Sequence, residues 1–269
     1  MLGIVRDRLL SEYVGVGPML DVYNAAFRTP DFTLAIMLSF ASATLVVPFL
    51  AKAVNDGDLL EVRRRFSSLF IFFGGSMIFL GGVVILAIPY LAHLIVPGFT
   101  EEQTILFIKT TRLLMIQPIL LGLSTLISTL AQVRHQFIVY SLAPLFYTGT
   151  IIYSVILYPV YGFDSLIAGV LAGAVFHILV QSYTLVRQGI GVSISLFDFD
   201  LVKEHLKFAY PRSGSYAVSR FRDIVFASAA TTFGPGSLSI YVFAQRVVEA
   251  FMQIIVQSIS SASLPKLSE

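Results

Sequence analysis

Residues 66–96 read FSSLFIFFGGSMIFLGGVVILAIPYLAHLIV and contain no Asp, Glu, Lys or Arg. A helix of about 20 apolar residues spans the hydrocarbon core of a bilayer, so this segment is long enough to cross one. Over the whole chain 56% of the residues are hydrophobic and 13% are charged, whereas soluble domains contain about 25% charged residues. The sequence therefore predicts an all-α, polytopic membrane helical bundle.

Hydropathy and helix-breaking residues divide the chain into eight predicted helices. Their predicted bounds are 1–13, 22–52, 66–96, 103–133, 137–160, 164–187, 201–233 and 237–265. The first is too short to span a bilayer, and the other seven are long enough to do so. Prolines inside these spans predict kinks. The sequence leaves open whether such a kink is a simple bend or opens a cavity.

The connections between the predicted helices alternate in charge. Those near 14–20, 98–102, 161–163 and 234–236 contain no Lys or Arg. The opposite connections and helix ends contain nine, namely Lys52, Arg63, Arg64, Arg65, Arg134, Arg187, Lys203, Lys207 and Lys266. By the positive-inside rule this basic set faces the cytoplasm, which predicts that the C-terminal end is also cytoplasmic.

Sequence marks near the start of the chain recur near its end. Arg6-Asp7 recurs as Arg222-Asp223, Gly17-Pro18 as Gly234-Pro235, and Ala26-x-Arg28 as Ala244-x-Arg246. Six predicted helices separate the copies, which indicates a parallel repeat of two lobes with the substrate site between them.

This repeat sets the predicted domain organisation. We predict an N-terminal lobe of about six helices over residues 1–188, a cytoplasmic connector over 189–200, and the first two helices of a second lobe over 201–269. The first helix looks clipped beside its repeat, and the second lobe lacks its remaining helices. We therefore expect a fragment of a longer transporter.

Nine basic residues lie inside segments that are otherwise apolar enough to span a bilayer. They are Arg6, Arg8, Arg28, Lys109, Arg112, Arg212, Arg220, Arg222 and Arg246. Each would cost roughly 2.5–3.5 kcal/mol at a helix centre that faces lipid. We therefore expect them to face a membrane cavity that receives an anion.

Patterns typical of catalysis are missing from the sequence. It has no Cys, no Walker motif, no nucleophile elbow and no paired catalytic carboxylates, and its four His are scattered without ligand spacing. We predict that the protein is not an enzyme and has no catalytic residue, no metal site and no cofactor. The basic run Arg63-Arg64-Arg65 is explained by anionic lipid headgroups more simply than by nucleic acid.

Several short motifs follow one another along the chain. They are Arg6-Asp7, Gly17 followed by Asp21, Ala26-Phe27-Arg28-x-Pro30, Val47-Pro48, Pro97-Gly98-Phe99, Ala143-Pro144, Gln181, Gly236-Ser237, Ala244-x-Arg246 and Leu264-Pro265-x-Leu267-Ser268. With them, essentially the whole chain resembles the MurJ/MviN lipid II flippase family of the multidrug/oligosaccharidyl-lipid/polysaccharide exporter (MOP) superfamily. It departs from that family after Pro30, where the usual basic residues and Glu-Gly are absent, and at Gln245, where the family has an Asp.

The resemblance implies a flippase that translocates lipid II, the lipid-linked peptidoglycan precursor, across the bacterial cytoplasmic (inner) membrane by alternating access. The implied partners are an anionic diphosphate lipid as substrate, membrane lipid, and cell-wall synthesis proteins, with no nucleic acid. Three alternatives remain: a flippase for O-antigen or polysaccharide lipids, a multidrug exporter of the same superfamily, and a transport-incompetent membrane scaffold. Export of cationic drugs would require acidic cavity residues, which the excess of basic residues disfavours.

Arg6, Arg28 and Arg246 are the strongest substrate-binding candidates. Their family counterparts face the central cavity, and a guanidinium group supplies the planar, permanently charged donors that suit a diphosphate. Arg222 and Arg112 are further substrate-binding candidates. By the same resemblance, Asp21 is a candidate for gating the outward side.

Each candidate also has a local interpretation that the sequence leaves open. Arg112 and Lys109 lie close enough to a helix end to snorkel toward the interface. Asp21 can equally serve as a helix cap. Local ion pairs are available to Arg6 with Asp7, to Arg246 with Glu249, and to Arg220 with Asp223, the last of which leaves Arg222 without an acid of its own.

Overall fold

The structure, a computed structural model, describes residues 2–41, 43–133 and 136–267. These residues form helices and no strand, which confirms the predicted fold class. Arg134 lies outside the described residues, and so do the side chains of Arg212 and Lys266. The helices are α1 (Leu2–Leu9), α2 (Pro18–Ala26), α3 (Arg28–Phe40), α4 (Ala43–Asn55), α5 (Leu59–Ile95), α6 (Glu101–Leu114), α7 (Ile116–Val133), α8 (Phe137–Ile156), α9 (Tyr158–Tyr161), α10 (Phe163–Gln188), α11 (Phe199–Thr231) and α12 (Ser237–Leu267).

Local side-chain chemistry fixes several helix ends. Thr100 starts α6 with a capping box, in which its hydroxyl accepts from the Gln103 N–H while the Gln103 side chain accepts from the Thr100 N–H. Asp58 caps α5 by accepting from the Glu61 N–H. Gly189 ends α10 with a φ of 64°, the left-handed conformation that glycine adopts most easily.

The single helix predicted over 22–52 is wrong, because the chain divides it into α2, α3 and α4. The first break falls at Phe27, three residues before Pro30. Proline has no N–H to donate, and its ring clashes with the preceding turn, so the helix cannot continue unbroken. The helix predicted over 103–133 is likewise interrupted between α6 and α7, just before Pro118. The helix predicted over 66–96 begins seven residues earlier, at Leu59, and the one predicted over 137–160 is broken at Leu157 into α8 and α9. The other predicted helices agree with the structure to within a few residues.

Fewer helices meet a simple membrane criterion than the seven that the sequence predicts. On length and composition, the described part of the chain has three such spans, Leu59–Ile95, Glu101–Val133 (α6 and α7 counted together) and Phe163–Gln188. The bent pair Pro18–Phe40 and Leu45–Asn55 makes a fourth if it is one span. Part of the difference comes from α11 and α12, which carry charged residues along their length, among them Arg220, Arg222, Asp223 and Arg246.

Two hydrophobic cores hold the bundle together. The first contains side chains of α2, α5, α6, α8, α10, α11 and α12, and Phe107 and Leu238 are fully buried in it. The second contains side chains of α3, α4, α5 and α7, with Phe66 and Leu126 at most 1% exposed. Because α12 shares the first core with α2, apolar packing holds the last helix against the beginning of the chain.

The segment between α10 and α11 is fastened to the start of α5. The Ser193 N–H donates to the Ser67 hydroxyl at 3.2 Å, and the Asp198 N–H donates to the Ser68 hydroxyl at 2.9 Å. The Arg64 guanidinium adds an ion pair to the Asp198 carboxylate at 2.5 Å. These contacts fix the position from which α11 begins.

The turn after α5 lies directly against the end of α11. The Gly98 N–H donates to the Thr231 hydroxyl at 3.2 Å, and the Ser228 hydroxyl donates to the Leu94 carbonyl at 2.9 Å. A Cβ atom at Gly98 would lie 1.9 Å from the Thr231 carbonyl oxygen, which is far inside van der Waals contact. Only a glycine fits there without moving backbone.

We therefore expect Gly98→Ala to lower the stability of the folded protein by at least about 2 kcal/mol, because the added methyl group overpacks a contact between two backbone segments. Gly149→Ala is the matched control, since a Cβ at Gly149 meets nothing within 4 Å. Thermal unfolding in detergent should show a lower midpoint for Gly98→Ala only. Equal midpoints for the two variants would contradict the packing described here.

A second prediction concerns the Asp198 carboxylate. The Asp200 N–H and then the Arg64 guanidinium hold the pKa of this carboxyl below its usual range. A carboxyl whose pKa is lowered by folding stabilises the folded state above its unfolded pKa of about 4 and loses that contribution as the pH falls through its folded value. At a fixed pH, Asp198→Asn should therefore speed amide hydrogen exchange over residues 190–198. Acidification of the wild type should lower the protection factors of the same amides, after correction for the slower intrinsic exchange at low pH. Asp200→Asn, whose parent side chain is 89% exposed, should leave that exchange unchanged.

Candidate functional site

A polar cavity lies where α1, α2, α3, α7, α8, α11 and α12 meet, and its volume is about 370 Å³. Four arginines line it together with two carboxylates, Asp31 and Glu249. The arginines are Arg6, Arg28, Arg220 and Arg246. The cavity therefore carries more positive than negative side chains, and its walls come from both ends of the chain.

Arg6 and Arg246 meet at one carboxylate. Asp7 Oδ1 accepts from Arg6 Nη2 at 2.9 Å and from Arg246 Nη1 at 2.5 Å. The local pairing of Arg6 with Asp7 is thus present, and Arg6 lines the cavity as well. Arg246 does not pair with Glu249, which instead accepts from the Gln245 amide at 3.2 Å. The carboxylate of α1 therefore ties an arginine of α12 to one of its own helix.

Arg28 lies in the same cavity and has no ion pair among the described residues. Its Nε atom is buried and has no hydrogen-bond partner there. A buried guanidinium donor without a partner is costly, because the protein does not replace the hydrogen bond that water would give. Arg28 is therefore the arginine that gains most from an anion entering the cavity.

Arg222 does not line the cavity, and 60% of its side-chain surface is exposed. It pairs with Asp223 at 3.1 Å, while Arg220 shares the same acid at 3.4 Å. Asp223 therefore accounts for the charge of Arg222 as well as that of Arg220, since both arginines pair with it on α11. Arg220, for which the sequence offered a local pair with Asp223, is the arginine of the two that lines the cavity.

Arg112 also lies away from the cavity. Its Nε donates to the Ile85 carbonyl at 3.1 Å, and it shares a separate surface groove with Lys109. Ile105, Ile108 and Leu113 complete that groove. The structure thus brings together three of the five predicted substrate-binding arginines, and Arg112 and Arg222 are the two it places elsewhere.

Asp21 joins the beginning of the chain to the start of α12. It is 2% exposed, and its carboxylate accepts from the Gly236 N–H at 2.5 Å, the Ser239 N–H at 2.8 Å and the Ser239 hydroxyl at 2.6 Å. The two N–H groups belong to the start of α12, where the helix itself offers them no acceptor, so Asp21 caps a helix other than its own. The negative charge also lies at the positive end of the helix dipole.

Sequence reasoning missed several polar residues of the cavity. Asp31 and Glu249 supply its acids, and the Gln117 amide donates to the Tyr147 hydroxyl at 3.0 Å across the wall. The spacing of Arg28 and Asp31, one helical turn apart, was the signal for Asp31. Nothing in the sequence indicates that Gln117 and Tyr147, from two different helices, meet at this cavity.

The arrangement suits binding rather than bond chemistry. Guanidinium groups stay charged at all physiological pH values and offer several donors in a plane that matches phosphate oxygens. Among the described residues, no three His, Asp or Glu side chains are grouped so as to hold a metal ion. The cavity can therefore hold an anionic headgroup through fixed positive charge and hydrogen bonds.

Comparison with known families decides the affiliation. The family described as lipid II flippase MurJ matches residues 10–269. The chain belongs to this family. Proteins named probable lipid II flippase MurJ are similar over the full chain, with 25% identity in Rhizobium tropici and 27% in Aquifex aeolicus. The match covers 52% of the first protein and 54% of the second. The chain thus spans about half the length of these relatives.

Two solved structures share the fold. A lipid II flippase MurJ in an inward closed conformation superposes with a TM-score of 0.83 at 22% identity, covering 99% of this chain and 56% of that one. A multidrug resistance MATE family transporter of the MOP superfamily, in an inward-facing conformation, gives 0.74 at 17% identity and covers 98% and 62%. At such identities the likeness concerns the fold alone.

We expect Asp21→Ala to loosen the contact between α2 and α12, because it leaves buried N–H groups unpaired and each hydrogen bond to a charged group contributes about 1.5–3 kcal/mol. The native chain has no Cys, so spin labels can be attached to cysteines placed at Met19 and Phe233, which are both exposed. Double electron–electron resonance should give a longer and broader distribution of distances between the two labels in Asp21→Ala. The control Glu102→Ala should keep the wild-type distances, and unchanged distances in Asp21→Ala would refute the cap.

Proposed function

We propose that the chain is part of a flippase that moves lipid II across the bacterial cytoplasmic membrane. The observation that carries the proposal is the cavity that gathers Arg6, Arg28 and Arg246, in which the buried Nε of Arg28 has no described partner. Membership of the lipid II flippase MurJ family supports the choice of substrate. Transport changes no covalent bond, so the proposed protein is not an enzyme.

In this proposal the cavity receives the diphosphate of the headgroup while the prenyl tail stays in lipid. A diphosphate that links a lipid to a sugar carries two negative charges, and the cavity lining has four arginines against two carboxylates. Asp7 and Asp223, just outside the lining, pair with three of these arginines and leave Arg28 without an ion pair among the described residues. Arginine can bind phosphate oxygens in pairs through its planar fork, which gives orientation as well as attraction. Arg28 gains the most from phosphate binding, because it breaks no described ion pair, whereas Arg6, Arg220 and Arg246 would have to exchange one.

Alternating access follows from the proposed two lobes, residues 1–188 and 201–269, joined by the connector 189–200. The positive-inside rule places the end with Arg64 in the cytoplasm and the end with Asp21 outside. With Asp21 bound to α12, the outer end is closed, so this conformation loads from the cytoplasmic side. The inward-facing conformation named for the similar MATE family transporter is consistent with that assignment.

The rivals differ in what they require of the cavity. A cationic drug would meet four lining arginines against two lining carboxylates, while the adjacent acids Asp7 and Asp223 are already paired with arginines, which disfavours drug export. A flippase for O-antigen or polysaccharide lipids needs the same diphosphate chemistry, so substrate assays must separate it from lipid II transport. A transport-incompetent scaffold would bind lipid or cell-wall synthesis proteins without needing the arginines at all.

Charge reversal at the cavity is the direct test. Arg28→Glu and Arg246→Glu in the gene's full product should abolish flipping of lipid II in vesicles, because each replaces a phosphate-binding group with a repelling one. Arg187→Glu, a reversal in the last turn of α10 and outside the cavity lining, should retain activity. Flipping that survives both cavity reversals would remove the arginines from the mechanism.

Complementation separates the rivals. The full gene should restore growth of a strain depleted of its own lipid II flippase, and the two charge-reversed genes should not. Failure of the unmodified gene despite stable membrane expression would favour the scaffold. Restored O-antigen display in a strain lacking that flippase, without rescue of growth in the first strain, would favour the polysaccharide lipid.

A further inference from the structure

Asp31 is an acidic residue in the wall of a cavity that otherwise attracts anions. It lies on α3 one helical turn after Arg28, on the same face of the helix. Its carboxylate forms no ion pair within 4 Å with any described basic side chain. It therefore differs from an acid that merely neutralises one neighbouring arginine.

The other acids near the cavity are already engaged. Asp7 binds both Arg6 and Arg246, and Glu249 accepts from Gln245. Of the carboxylates that line the cavity, Asp31 is thus the one whose described surroundings leave it free to respond to a new charge. The arginines attract it from several directions, but none of the described ones holds it.

Charged and titratable groups from six helices line the cavity together with Asp31. The lining residues of α7, Gln117 and Leu121, do not titrate, α5 and α6 contribute no lining residue, and the Arg212 side chain of α11 is outside the described part. The groups that do face it are Arg6 of α1, Tyr23 of α2, Arg28 of α3 itself, Tyr147 of α8, Arg220 of α11, and Arg246 and Glu249 of α12.

An anion bound to these arginines would come close to the Asp31 carboxylate. Two like charges in a cavity shielded from bulk water repel more strongly than they do in water. Repulsion of this kind favours the neutral, protonated form of a carboxyl group. Headgroup binding and the negative charge of Asp31 therefore oppose each other.

We propose that Asp31 competes with the substrate's phosphates for the cavity arginines, so that headgroup binding is linked to uptake of a proton by Asp31. This inference rests on the proposed function of the cavity as a diphosphate site. In the empty cavity the carboxylate balances part of the guanidinium charge. When the headgroup enters, the carboxylate takes a proton from cavity water, and it loses that proton again as the headgroup leaves.

The test measures binding of a lipid II analogue with a farnesyl chain to the full-length protein in nanodiscs by calorimetry. Its diphosphate is a diester, so the probe keeps its charge across the pH range used. Asp31→Asn should tighten binding about fivefold at about pH 7.5, as expected for removing one negative charge about 8 Å from the phosphates at an effective dielectric constant of about 40. Wild-type binding should tighten as the pH is lowered to about 5.5, and Asp31→Asn should lose most of that change.

Two further variants make the result decisive. Asp31→Glu keeps the charge and should behave like the wild type, whereas Asp31→Ser removes the charge with a smaller side chain and should also bind more tightly. If Asp31 only positions Arg28, its neutralisation should weaken binding, which is the opposite sign and would overturn the inference. Unchanged affinity in both neutral variants would overturn it as well.

The same titration keeps this inference distinct from the proposed function. Absence of probe binding by the wild type at every pH, with Arg28→Glu no different, would count against the diphosphate site itself. Binding that Arg28→Glu abolishes, but that Asp31→Asn leaves unchanged in strength and pH dependence, would spare the site and remove only the role of Asp31.

Discussion

Guanidinium groups within apolar helices constrain this structure more than any other feature. Each must reach water, an acid or a ligand, since facing lipid costs roughly 2.5–3.5 kcal/mol. The chain meets this requirement for Arg6 and Arg246 by directing both to Asp7, and for Arg220 by pairing it with Asp223. The Arg246–Asp7 pair joins α12 to α1 beside the polar cavity, so the burial of charge also sets which of these helices are neighbours.

How far the sequence predicts the fold depends on the kind of information each element carries. Long apolar helices such as Leu59–Ile95 follow from hydropathy, because the signal lies within the segment itself. The division of 22–52 does not, because Pro30 signals a break without saying whether the helix bends or stops. Hydropathy and helix-breaking residues also predicted α11, although the charged residues along it leave it short of the membrane criterion.

The site was predictable where a residue's position follows from the repeat or from family motifs, as for Arg6, Arg28 and Arg246. It was not predictable where residues close together on one helix point to different sides of that helix. Arg220 and Arg222 are two positions apart, roughly on opposite sides of α11, and only Arg220 lines the cavity. Contacts between distant segments, such as that of Asp21 with the first turn of α12, need the folded structure.

Asp7 and Asp21 both attach the N-terminal segment to α12. They differ in whether a bound anion could take over their partners on that helix. Asp7 holds Arg246 through a charge–charge contact at the cavity, where the phosphates of a proposed headgroup could take over the same guanidinium. Asp21 holds backbone N–H groups and a hydroxyl in a buried contact outside the cavity lining, where no headgroup bound in that cavity competes. A headgroup bound as proposed would therefore compete with the Asp7 attachment and leave the Asp21 attachment intact.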